Sequence, residues 1–130
     1  MSPTQRTLKW LRDMGYESQV VERWSAPARK RIDLFGCIDI VAIKGALTIG
    51  VQATSAAGVS ARIAKITSGE ASTRAAKWLE GGTRQLWVIG WKNYVRALEG
   101  KHWRPTLRNI NLSDIVPAEV ERGVDAPVAT

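Results

Sequence analysis

The chain has 130 residues, 45% of them apolar, and carries 19 Lys and Arg against 12 Asp and Glu, a formal net charge of +7. That is the length of one compact domain, apolar enough to build a core without disulfides or a structural metal. No run approaches the ~18 unbroken apolar residues of a membrane span, Arg6 and Lys9 break up the region where a signal peptide would be apolar, and a single cysteine, Cys37, excludes an internal disulfide.

In chain order, residues 4–14 repeat apolar side chains at helical spacing (Leu8 with Leu11, Trp10 with Met14), after a Ser2-Pro3 start signal and before a Gly15 stop. Residues 16–24 are strand-like through Val20-Val21, and residues 25–30, with Pro27 and the start of a basic cluster, are expected to form a loop. Residues 38–43 and 47–53 are rich in Ile and Val and separated by Lys44-Gly45-Ala46, the pattern of two antiparallel strands joined by a tight turn. Ser60 is placed to cap a helix carrying Ile63 and Ile66, and a second helix is expected over 70–80, with Ser68 ahead of it and Gly81-Gly82 at its end. Residues 84–91 alternate as a strand. Residues 94–98 and 102–107 suggest a further hairpin around Gly100, with Pro105 marking a sheet edge. The order predicts a mixed α/β domain over 1–113, and the acids, Pro and small residues beyond it predict a flexible tail over 114–130, frayed from Pro117 onward.

Charge gives the first indication of a partner. Residues 1–113 hold 18 of the bases but only 8 of the acids, a net charge of +10. A body this basic attracts polyanions through counterion release, which puts nucleic acid ahead of other partner classes. No membrane partner is expected, the expected location is the cytoplasm, and Cys37 reads as reduced core filling.

Asp39 stands inside an apolar strand pattern. Side chains alternate along a strand, so Asp39, Val41 and Ile43 share one face of the first strand, and Thr48, Gly50, Gln52 and Thr54 share one face of the next. If those faces coincide, Asp39, Gln52 and Thr54 gather at one place. A buried ionised carboxylate is costly unless a cation or several donors meet it, so Asp39 must be compensated by an Arg, by backbone amides or by a metal ion.

Ile38-Asp39-Ile40, followed after a turn by Gln52-Ala53-Thr54 at the end of an apolar strand, resembles the PD-(D/E)xK nuclease signature. The element order resembles that of archaeal-type Holliday junction resolvases in that superfamily. "DLFGCID", "GVQATS", "WLEGG" and the Trp-Lys of "GWKN" are similar to small phage and bacterial resolvase-like proteins. The resemblance covers about residues 4–104 and implies a restriction-endonuclease-like core, a central mixed sheet flanked by helices. It also implies Mg²⁺ or Mn²⁺ as cofactor, branched DNA as substrate, and a homodimer. In the family, an Asp and a Glu hold the metal and a Lys steadies the nucleophile or the developing charge. Asp39 matches the first acid. Gln52 stands where the Glu would be, with an amide oxygen that could still ligate, and Thr54 stands where the Lys would be, with a hydroxyl able to orient water. The family's first-helix Glu is also missing, since Thr4 and Gln5 occupy its expected place.

Substitutes are therefore sought at Asp33 and Glu22 for the carboxylates and at Arg62 and Lys65 for the cation. Asp33 could equally stabilise a turn beside Arg31, Glu22 could be a solvated surface acid, and Arg62 and Lys65, three apart on a helix, could form a wet face. Arg29-Lys30-Arg31 is a candidate phosphate clamp, with Arg62 and Lys65 as further DNA contacts. Of the six Trp, Trp24 and Trp103 are the DNA-contact candidates and the rest read as core; His102, without a partner of metal-ligand type, reads as surface or packing. Two functions compete: a Mg²⁺-dependent endonuclease, and a DNA-binding module on the same fold whose weakened site no longer cuts.

Overall fold

The computed structural model describes residues 1–96 and 100–116. Helix α1 (Pro3–Asp13) begins where the Ser2 hydroxyl accepts the Gln5 N–H at 3.2 Å and Pro3 fills the first turn, where its missing N–H costs nothing; Gly15, at φ +90°, ends it. Strands β1 (Glu17–Val20), β4 (Ile40–Lys44), β5 (Leu47–Ser55), β6 (Arg84–Arg96) and β7 (Gly100–Ile110) form one sheet in the order β1-β4-β5-β6-β7, while β2 (Arg23–Ser25) and β3 (Lys30–Ile32) form a separate hairpin. Among the described residues only β5 and β6 run parallel, and the crossover that a parallel pair requires is supplied by α2 (Val59–Thr67) and α3 (Ser72–Leu79). The chain is thus an α/β domain with a central mixed sheet between helices.

α1 packs on one sheet face, Leu8 and Leu11 meeting Ile40, Ile49, Val51 and Ile89. α2 and α3 cover the other, Ile66, Ala75 and Leu79 packing with Ile38, Leu86 and Val88. β5 lies between the two layers and is buried from Ile49 to Thr54, which is why its sequence is a near-continuous apolar run. Thr7, a polar residue under α1, is satisfied twice: its hydroxyl donates to the Pro3 carbonyl at 2.8 Å and accepts from the Trp91 indole at 2.9 Å.

Several elements depart from the sequence reading. The strand expected over 16–24 divides, because the β1–β4 ladder ends where Val21 donates to the Asp39 carbonyl at 2.8 Å, and the chain then enters the β2–β3 hairpin. The loop expected over 25–30 narrows to a turn at 26–29, in which Arg29 adopts φ +51°. Ser60 does not cap α2: the helix starts at Val59, and Gly58 takes the cap position because a side chain there would run into the Thr54 hydroxyl. α3 starts at Ser72 rather than residue 70, and Ser68 ends α2 instead of opening α3. β6 is one long strand, not two; Gly90 interrupts nothing and is small because Val59 and the Ala56 backbone lie against it. The expected hairpin turn falls partly on residues 97–99, outside the described residues, and Pro105 does lie on an edge strand. The folded body passes residue 113, since Ile115 is buried and Val116 donates to the Thr67 carbonyl at 2.7 Å; residues 117–130 lie outside the described residues. No described helix is long and apolar enough to cross a membrane.

Candidate functional site

The antiparallel register Ile40↔Val51 carries one residue further to set Asp39 opposite Gln52, and the Asp39 N–H donates to the Val51 carbonyl at 2.8 Å. The two faces inferred from strand alternation therefore coincide, on the side covered by α2. Asp39 is 4% exposed and Gln52 1%. No guanidinium pairs with Asp39 among the described residues; its Oδ2 accepts from the Ala53 N–H at 2.8 Å and from the Gln52 amide nitrogen at 2.7 Å. Backbone and amide donors meet the carboxylate but only partly offset the cost of burying it.

A second carboxylate joins it. The Asp33 Oδ2 accepts from the same Gln52 nitrogen at 3.2 Å, and the Lys65 Nζ, reaching in from α2, donates to the Gln52 Oε1 at 3.0 Å and lies 3.7 Å from Asp33. Gln52 thus bridges both acids to a cation. The amide oxygen that the sequence reading offers to a metal is turned toward Lys65, and the nitrogen faces the carboxylates. Glu22, in the link between β1 and β2, completes a trio with Asp33 and Asp39 whose ligand oxygens lie within 4.8 Å of one another. Its nearest cation is Arg31, 3.8 Å away and largely exposed.

Burial, reinforced by a hydrogen bond to Asp33, pushes the Asp39 carboxyl up to about 8, against the pull of the Ala53 amide. For Asp33, burial pushes upward but is outweighed by hydrogen bonds from Asp39 and Gln52 and by the charges of Lys65 and Arg62, so its pKa falls below the usual value. The two close carboxylates are thus pushed in opposite directions, the arrangement expected where both cannot readily ionise without a cation. Three carboxylates with ligand oxygens within 4.8 Å of one another form a hard, oxygen-only donor set that could hold a metal ion.

These residues sit in a polar cleft of about 910 Å³, open to solvent. Lys30, Arg31, Arg62 and Lys65 line it with Thr54, whereas Arg29 is not among its lining residues. The N-terminal turn of α1, including Thr4 and Gln5, also faces the cleft. Glu70 also lines the cleft, from the turn between α2 and α3; the sequence offers it only as the start of a helix, which gives no sign of a site. Trp24, 60% exposed, and Trp103, 41% exposed, are the most exposed described tryptophans, and Trp103 is stacked by the Arg6 guanidinium at 3.6 Å. Cys37 is buried, and burial first of all pushes its thiol up to about 11, the state of an inert core residue. Comparison with protein-family models, with curated proteins and with solved structures found no match to this chain.

Proposed function

We propose that the chain is a metal-dependent DNA endonuclease with a restriction-endonuclease-like core, hydrolysing phosphodiester bonds in branched DNA such as a four-way junction, and acting as a homodimer that presents two such sites. The observation that carries this reading is the convergence of Glu22, Asp33 and Asp39, with ligand oxygens within 4.8 Å, beneath a cleft walled by Lys30, Arg31 and Arg62.

Glu22, Asp33 and Asp39 would hold the ion, and a bound Mg²⁺ or Mn²⁺ lowers the pKa of its water and neutralises phosphate charge. Gln52 fixes the separation of Asp33 and Asp39 by donating to both. Lys65, a helical residue rather than the strand residue of the familiar motif, brings a positive charge to the position that Thr54 leaves neutral, where it stabilises charge developing on the phosphate. Thr54 orients water by hydrogen bonding, and Lys30, Arg31 and Arg62 hold the flanking backbone.

The second reading, a binding module that does not cut, is favoured by one observation: Gln52 occupies the place of a metal-ligating acid and turns its nitrogen, not its oxygen, to the carboxylates. Labelled four-way junction, duplex and single-stranded DNA, incubated with Mg²⁺, Mn²⁺ or chelator, separate the two. Metal-dependent cutting that disappears in Asp39→Asn, and falls about 10²-fold in Lys65→Ala while binding changes less, supports the nuclease. Bound but uncut DNA, indifferent to metal and to Asp39→Asn, supports the module.

A further inference from the structure

β5 ends at Ser55, opposite Trp91, but β6 and β7 run on together as a two-stranded ribbon from Lys92 paired with Arg104 to Arg96 paired with Gly100. Partners across a ladder share a face, and Gln52 pairs with Val88 and Thr54 with Gly90. The face of β6 that carries Val88 and Gly90 next presents Lys92 and Tyr94, with Arg108, Thr106 and Arg104 opposite on β7. The sheet face that holds the carboxylates therefore continues, past the short helical turn Ala56–Gly58 over Gly90, onto the ribbon.

On that ribbon two cations stand directly opposite each other, an arrangement that is destabilising in a sheet unless something anionic meets it. Both lie against one aromatic ring, the Lys92 Nζ 5.2 Å and the Arg104 guanidinium carbon 5.5 Å from the centre of Tyr94, which is 43% exposed. Lys92, Arg104 and Arg108 are exposed, and none of them enters an ion pair among the described residues. Residues 84–113 contain six Lys and Arg and one acid, Glu99. A ring supporting two uncompensated cations at fixed spacing on a projecting ribbon is suited to a regularly charged polyanion rather than to an acidic protein patch of irregular spacing.

We infer that the Lys92–Arg104 face of the β6–β7 ribbon is a second nucleic-acid surface, gripping the sugar-phosphate backbone of the DNA whose linkage enters the carboxylate cleft. This rests on the DNA reading above but not on cutting. Lys92 and Arg104 neutralise phosphates, and Tyr94 keeps them apart and offers a ring edge to a sugar or base.

The test is fluorescence anisotropy with labelled four-way junction and duplex DNA in chelator, across a salt series, on the full chain. Lys92→Ala/Arg104→Ala should weaken binding about tenfold or more and lower the slope of log affinity against log salt by about two. Lys92→Arg/Arg104→Lys should restore both. The charge-matched pair Lys9→Ala/Lys44→Ala, on α1 and β4, should bind like wild type. The ribbon inference is overturned if wild type binds DNA and the ribbon variant binds equally, if the charge-matched pair loses as much, or if wild type binds no DNA, in which case the DNA reading falls with it. Binding that behaves as expected without any metal-dependent cutting upholds the ribbon and removes only the nuclease.

Discussion

The surroundings of Asp39 and Asp33 push their pKa values in opposite directions, and this sets how the protein responds to pH. Asp39, buried and hydrogen-bonded to Asp33, has a folded pKa of about 8 against an ordinary 3.8, so the native state holds that proton more tightly than the unfolded chain does. Its contribution to stability is complete below 3.8 and is lost as pH rises through 8. Asp33, held below 3.8, contributes in the opposite sense, and its share is lost only as pH falls beneath that value. In chelator, the melting temperature should therefore decline between about pH 4 and pH 8, and added Mn²⁺ should restore it increasingly toward the alkaline end, since the ion replaces the proton; a flat thermal profile would contradict this. Asp39→Asn keeps the size of the side chain and an oxygen for the Ala53 N–H, so metal-free stability at pH 8 should be equal to or above wild type, while stabilisation by Mn²⁺ is lost. Differential scanning calorimetry reads both. The opposition of Asp39 and Gln52 was legible from strand period alone. Lys65 and Glu22 were legible only as candidates, because what brings them in is the path of a crossover helix and a break in the first strand, which no local period encodes.

The elements set the site by close approach. α2 carries Arg62 and Lys65, and its start is seated on β6: a Cβ at Gly90 would collide with Val59 and come within 3.1 Å of the Ala56 backbone. Gly90→Ala should consequently destabilise the fold by about 1–3 kcal/mol, measured by urea denaturation, and lower cutting more than the stability loss explains, because lifting this end of α2 withdraws Lys65 from Gln52. An unaltered midpoint would mean that the helix start has room to move. The β4–β5 hairpin was legible because Lys44-Gly45-Ala46 separates two β-branched runs, and Gly45 does adopt φ +58° there. The β2–β3 hairpin was not. Its strands are three residues each and largely exposed, so burial imposes no period on them. For the same reason Lys30 and Arg31 appeared as a loop cluster, although a short strand carries them to the cleft and leaves Arg29 in the turn.

At the level of the whole molecule, the mixed sheet places the carboxylate trio near the ends of β1, β4 and β5, where helices cover the face on one side and a basic hairpin walls the other. A body carrying +10 over residues 1–113 should bind DNA with an affinity that falls steeply with salt, by about 10³-fold or more between roughly 50 and 200 mM if it engages six or more phosphates. The α/β class was legible from the alternation of helical and strand periods, and the basic body from composition. The extent of the β6–β7 ribbon was not: the expected strand ends at Trp91, where β5 stops pairing, and beyond it Lys92 and Tyr94 are exposed, so burial imposes no period there. The convergence of Glu22, Asp33 and Asp39 on one divalent ion is most directly tested by Mn²⁺ titration at pH 8, followed by electron paramagnetic resonance, on wild type, Asp33→Asn and Asp39→Asn. Expected is saturable binding by wild type that weakens about tenfold or more in each variant, with Mg²⁺ competing for the same site. Wild type that leaves Mn²⁺ free at millimolar concentration, or variants that bind it as wild type does, would contradict the metal centre and the nuclease reading built on it.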